Sequence, residues 1–124
     1  MGKKILIIDD DLDLVKVIGT HLKASGYEAV AAFDGIRAIS QARRENPDLI
    51  ILDIKLPGGS GLKVYETLRN SFYTSLIPVL LVSGEDNIKD KLEKLNNPYL
   101  LKPFSVDELL VKIKKMLEPG APAE

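Results

Sequence analysis

Apolar residues fall in five short runs along the chain, at Lys4–Ile8, Glu28–Ala32, Leu49–Leu52, Pro78–Val82 and Tyr99–Leu101. Runs of four or five apolar residues in a row predict strands covered on both faces, as in a parallel sheet between helix layers. Between them lie stretches with helical spacing. Leu14, Val15, Ile18 and Leu22 mark a helix over Leu12–Ala24 that Ser25-Gly26 ends, with Asp11 as N-cap and Asp13 as a first-turn acid. Further helices are predicted over Ile36–Glu45, stopped by Asn46-Pro47, over Leu62–Asn70 and Asp86–Leu95, and over Ser105–Leu117, which Ser105 and Glu108 open as a capping box. Strands alternating with helices predict one three-layer αβα domain over residues 1–118, joined by right-handed crossovers. Residues 119–124 read as a flexible tail or linker stub.

A sheet of this kind presents its chemistry where its strands end. The third run ends in Asp53. The first runs into Asp9-Asp10-Asp11, crowded carboxylates that repel one another unless a cation, water or a helix N-terminus offsets the charge, and a hard divalent metal is the natural guest. The fourth run delivers Ser83, and the fifth delivers Lys102 followed by Pro103. The rim thus carries acids, a hydroxyl and an ammonium.

From about Lys3 to Leu117 these elements resemble the receiver domain of two-component response regulators: paired acids, an acceptor Asp, a Ser or Thr, then Lys-Pro, each after an apolar strand. The resemblance implies a doubly wound, flavodoxin-like sheet of order 2-1-3-4-5. It implies that Asp53 accepts a phosphoryl group from a sensor histidine kinase or a histidine phosphotransfer protein, and that Asp9, Asp10, Asp53 and the backbone carbonyl of Lys55 hold Mg²⁺. Lys102 pairs with Asp53 before transfer and with the phosphoryl group afterwards, and Ser83 donates to another phosphoryl oxygen. A cis peptide is expected before Pro103. Tyr99, three positions before Lys102, is expected to move with Ser83 as the switch. Lys55 and Glu85, each two positions past a site residue, stand over its mouth as modulators. Such a chain is a signalling domain that catalyses its own phosphorylation and slow dephosphorylation and is not otherwise an enzyme. The resemblance names neither a cognate kinase nor an output partner.

The chain departs from the family in one region. Ser83 and Lys102 stand 19 positions apart, a few fewer than is usual, and Leu95-Asn96-Asn97-Pro98 replaces the common turn, so the fourth helix is expected to be about a turn short. Gly58-Gly59-Ser60-Gly61 lacks the Lys-Ser/Thr ending of a nucleotide P-loop and reads as a flexible turn beside Asp53. The single histidine, His21, falls on the polar side of the first helix.

Composition narrows the picture further. The 124 residues make one ordinary domain, and the absence of cysteine excludes disulfides and thiolate metal sites. Seventeen basic and eighteen acidic residues leave a net charge of −1, with no general attraction to nucleic acid or anionic membrane. No membrane span or signal peptide is read, so a cytoplasmic location is expected. The rival reading is an aspartyl-phosphate phosphatase of the haloacid dehalogenase kind, with Asp9-Asp10-Asp11 supplying its Asp-x-Asp; Asp13 stands where that motif wants Thr or Val. A flavin carrier is disfavoured because acids at the end of the first strand repel a flavin phosphate.

Overall fold

The computed structural model describes residues 2–57, 59–85 and 87–118. Five parallel strands, β1 (Lys4–Ile8), β2 (Glu28–Ala32), β3 (Leu49–Asp53), β4 (Val79–Ser83) and β5 (Tyr99–Leu101), form one sheet in the order β2-β1-β3-β4-β5. This is the predicted 2-1-3-4-5 sheet. Strands β3 and β4 are buried at every position.

The period of two along each strand divides the core. Leu6, Ile8, Ile50, Leu52, Val79 and Leu81 pack on one face against α2 (Gly35–Glu45), α3 (Gly61–Asn70) and Leu92 of α4 (Lys89–Lys94). Ile5, Ile7, Leu49, Ile51, Leu80 and Val82 pack on the other against α1 (Leu12–Ala24) and α5 (Val106–Leu117). An uninterrupted apolar run therefore serves two layers at once.

Side-chain caps fix where helices start. Asp11 accepts from the Leu14 N–H at 3.1 Å, Asp34 from Arg37 at 2.8 Å and Ser60 from Leu62 at 3.1 Å. Ser105 and Glu108 form the reciprocal box, at 3.0 and 3.3 Å. Each of these helices follows a strand, so its N-terminus lies at the end of the sheet where the acids gather.

Two expectations need correction. The helix expected over Asp86–Leu95 covers only Lys89–Lys94: Asn87 takes a left-handed conformation (φ 62°), and Ile88 at the N-cap supplies no capping side chain. Asp86 itself lies outside the described residues. The glycine-rich turn after Asp53 is more ordered than expected, because Lys55–Leu56 and Gly59–Ser60 pair as a short antiparallel ladder. Gly58 and the expected tail at 119–124 lie outside the described residues. Among the described residues no helix is long and apolar enough to cross a membrane.

Candidate functional site

The C-terminal ends of β1, β3, β4 and β5 deliver the predicted residues to one place. Asp9 is 2% exposed, Asp53 4% and Ser83 1%. Burying two carboxylates side by side is unfavourable unless a cation compensates. Lys102 supplies it: its Nζ lies 2.9 Å from Asp9 Oδ2 and 3.2 Å from Asp53 Oδ2. The opposite oxygens take backbone donors, Asp9 Oδ1 from the Asp11 N–H at 3.0 Å and Asp53 Oδ1 from the Lys55 N–H at 3.2 Å.

Asp9 and Asp10 are neighbours in sequence with opposite surroundings. Asp9 points inward and both its oxygens are engaged. Asp10 is exposed, and among the described residues its carboxylate takes no hydrogen bond or ion pair. One oxygen from each of Asp9, Asp10 and Asp53 lies within 4.8 Å of the others. An all-oxygen, anionic donor set of this kind is what a hard divalent cation takes, so these residues fit Mg²⁺.

The electrostatics follow from the geometry. Burial first, and then the charge of Asp9, hold the Asp53 carboxyl above its ordinary pKa, against the opposing Lys55 N–H and Lys102. For Lys102 burial works to lower the pKa, but the hydrogen bond to Asp9 and the charges of Asp53 and Asp9 outweigh it, and the ammonium titrates above its ordinary value.

Backbone contacts hold the frame. The Lys102 N–H donates to the Ser83 carbonyl at 2.7 Å, and Ser83 Oγ accepts from the Glu85 N–H at 3.1 Å. The Lys102–Pro103 peptide is cis, as the resemblance implied. The Gly61 N–H donates to the Ile54 carbonyl at 2.6 Å, an approach so close that a Cβ on Gly61 would sit 2.2 Å from the Asp53 carbonyl oxygen. The mouth of the site is an open cleft of about 520 Å³ bordered by Asp10, Asp53, Lys55, Glu85 and Lys102. Lys55 and Glu85 thus stand where they were expected, without an ion pair between them among the described residues.

Tyr99 lies half-buried, its ring against the α2/α3 core and its hydroxyl donating to Glu93 Oε1 at 3.1 Å. Sequence reasoning missed this bond. It also missed that Lys102 serves Asp9 as closely as Asp53: both faces of β1 are buried, so its alternation carried past Ile8 gives no signal of which of two adjacent acids faces inward.

The family model of the response regulator receiver domain matches residues 5–114. The alkaline phosphatase synthesis transcriptional regulatory protein PhoP of Bacillus subtilis (strain 168) is 38% identical over 120 residues, covering 94% of this chain and 49% of PhoP. The chain thus spans about half the length of the curated relatives it matches. The solved receiver domain of the Francisella response regulator 1452 superposes with a TM-score of 0.84 at 31% identity, covering 94% of this chain and 97% of that one. The receiver domain of the sensor histidine kinase PA1611 from Pseudomonas aeruginosa PAO1, solved with a magnesium ion coordinated in its active site cleft, gives 0.85 at 25% identity, covering 94% and 98%. A phosphatase of the haloacid dehalogenase kind finds no support in these matches, and the chain belongs to the receiver domains of two-component response regulators.

Proposed function

We propose that this receiver domain is a phosphoryl-accepting switch with Asp53 as the acceptor. The observation that carries the reading is the sharing of one ammonium by two buried carboxylates, with a third, unengaged carboxylate beside them. A carboxylate oxygen of Asp53 attacks the phosphorus of a phosphohistidine on a sensor kinase or phosphotransfer protein. The P–N bond breaks, its electron pair leaves on the imidazole, and an acyl phosphate forms on Asp53. The added charge needs positive and hydrogen-bonding partners. Lys102 then moves from the Asp53 carboxylate to a phosphoryl oxygen, and the Ser83 hydroxyl donates to another.

Asp10, Asp53, the Lys55 carbonyl and Asp9, directly or through water, would hold Mg²⁺, which would supply charge neutralisation for the transferred group. Ser83 moving toward the phosphoryl group frees space for the Tyr99 ring, which must first give up its bond to Glu93, and the surface around α4, β5 and α5 changes with it. The chain acts on itself, taking up the group and slowly losing it to water, and is not otherwise an enzyme.

The test is labelling by a small phosphodonor with Mg²⁺. Wild type should take up one phosphate per chain, labile in base and hydroxylamine; Asp53→Asn should take up none, and Lys102→Ala should bind Mg²⁺ without the phosphorylation-dependent change. Full labelling of Asp53→Asn would overturn the assignment. Lys55 and Glu85 border the mouth of the cleft, and the long Lys55 stem would obstruct the approach of the hydrolytic water. Lys55→Ala should therefore shorten the life of the phosphorylated chain after donor removal; an equal or longer life would exclude this role.

A further inference from the structure

The connection between α3 and β4, residues 71–78, enters the sheet at the N-terminal end of its strands, opposite the acidic cleft. Its backbone is held tightly. Thr74 is 1% exposed and its hydroxyl donates to the Leu68 carbonyl at 2.7 Å. The N–H groups of Thr74 and Ser75 reach the Ser71 carbonyl, and that of Ile77 reaches Thr74. The Arg69 guanidinium bonds the Ile77 carbonyl at 2.7 Å.

On this fixed turn three large apolar side chains face solvent, while Ile77 enters the core. Phe72 is 92% exposed, Tyr73 62% and Leu76 95%. No other run of five described residues exposes three large apolar side chains. A loose loop would expose such residues for lack of structure, but here the ordering is already in place, and their removal from water is left to another molecule. The two rings meet edge to face at 5.6 Å, and the Arg43 guanidinium of α2 lies 4.5 Å from the centre of Tyr73. Aromatic residues joined by an arginine are the composition of interface anchors.

Charge and shape select the occupant. Arg43 is exposed and Arg69, at the C-terminal end of α3, is half-buried, and among the described residues neither has a carboxylate within ion-pair distance. A polar groove of about 360 Å³ follows the outer stripe of α3 at Lys63, Glu66, Thr67, Asn70 and Ser71, the residue before Phe72. A rod-shaped partner lying along α3 would set its polar flank on this groove and its apolar face on the turn that follows. A second copy in a two-fold pair would set this cationic patch against itself. We propose that this end of the domain docks an acidic amphipathic helix of a partner protein, its apolar face on Phe72, Tyr73 and Leu76 and its carboxylates toward Arg43 and Arg69.

The test titrates the isotope-labelled chain, followed by NMR, with a synthetic helix carrying leucines on one face flanked by glutamates, and with the same helix carrying lysines instead. The glutamate helix should shift amides of residues 63–77 and of the end of α2 around Arg43. The lysine helix should bind about tenfold more weakly, as should the glutamate helix to Arg43→Ala. The double variant Phe72→Ser with Leu76→Ser should lose binding at an unchanged melting temperature, both positions being exposed. Equal binding of the two helices, no binding, or shifts centred elsewhere would overturn the proposal. So would concentration-dependent self-association in sedimentation, or binding of anionic lipid vesicles that the double variant abolishes, since these assign the patch to a second copy or to a membrane.

Discussion

Asp53 and Lys102 carry opposite lessons about charge in a buried site. A carboxyl whose pKa is raised on folding, by burial and then by Asp9, favours its neutral form in the native state. Its contribution to stability is complete below the unfolded value, 3.8, and is lost as pH rises through the higher folded value. Without Mg²⁺, Asp53→Asn should therefore be more stable than wild type at neutral pH, and the gap should close as pH falls below the ordinary carboxylate range. Urea midpoints across pH measure it, and a gap independent of pH would show that neither burial nor the charge of Asp9 is its cause. Lys102, with its pKa raised, contributes stability that is complete below its unfolded value of 10.5 and lost only as pH rises through the folded one. Lys102→Ala at neutral pH should cost about 1–3 kcal/mol, because two buried carboxylates lose their partner. That penalty should shrink in the Asp53→Asn background, as a double-mutant cycle would show.

At the scale of elements, the segment from Asp53 to α3 leaves no room for a side chain at Gly61. A Cβ on Gly61 would lie 2.2 Å from the Asp53 carbonyl oxygen and 2.5 Å from the Ile54 Cα, and both obstacles are backbone. Gly61→Ala should lower stability by about 1–3 kcal/mol and displace Asp53, so that Mg²⁺-dependent labelling falls with the melting temperature. Alanine at Gly61 with unchanged labelling would show that the turn can yield. The residues that resisted reading lie in the same kind of place. Asp53, Ser83 and Lys102 were legible because each ends an apolar run, and a buried strand has a visible edge in sequence. The ladder of Lys55–Leu56 with Gly59–Ser60 was not, because two residues are too few for a period. The late start of α4 depends on a left-handed Asn87, a conformation that asparagine permits and does not require.

For the whole molecule, strand and helix periodicity sufficed for the three layers, since every apolar run alternates between two cores. It did not reveal the exposed apolar cluster at Phe72, Tyr73 and Leu76, because nothing in the pattern of a short connection separates an exposed apolar residue from a buried one. Mg²⁺ should bind only the folded chain, where Asp9, Asp10 and Asp53 converge, and so should raise the melting temperature; at a hundredfold excess over its dissociation constant the gain is about 2.7 kcal/mol. Asp10→Ala should lose this rise while leaving the metal-free chain as stable or more stable, since one of three crowded charges is gone. An undiminished magnesium-induced rise would exclude Asp10 as a ligand.

The ammonium that joins Asp9 to Asp53 comes from 93 positions after the first and 49 after the second. Contacts of such separation form late in folding, since they close the longest loops. During synthesis the acids leave the exit tunnel long before their counter-charge exists. On the proposed function, a nascent chain halted ahead of Lys102 would hold the acceptor carboxylate without the ammonium that reads it, so competence to switch would arrive with the fifth strand.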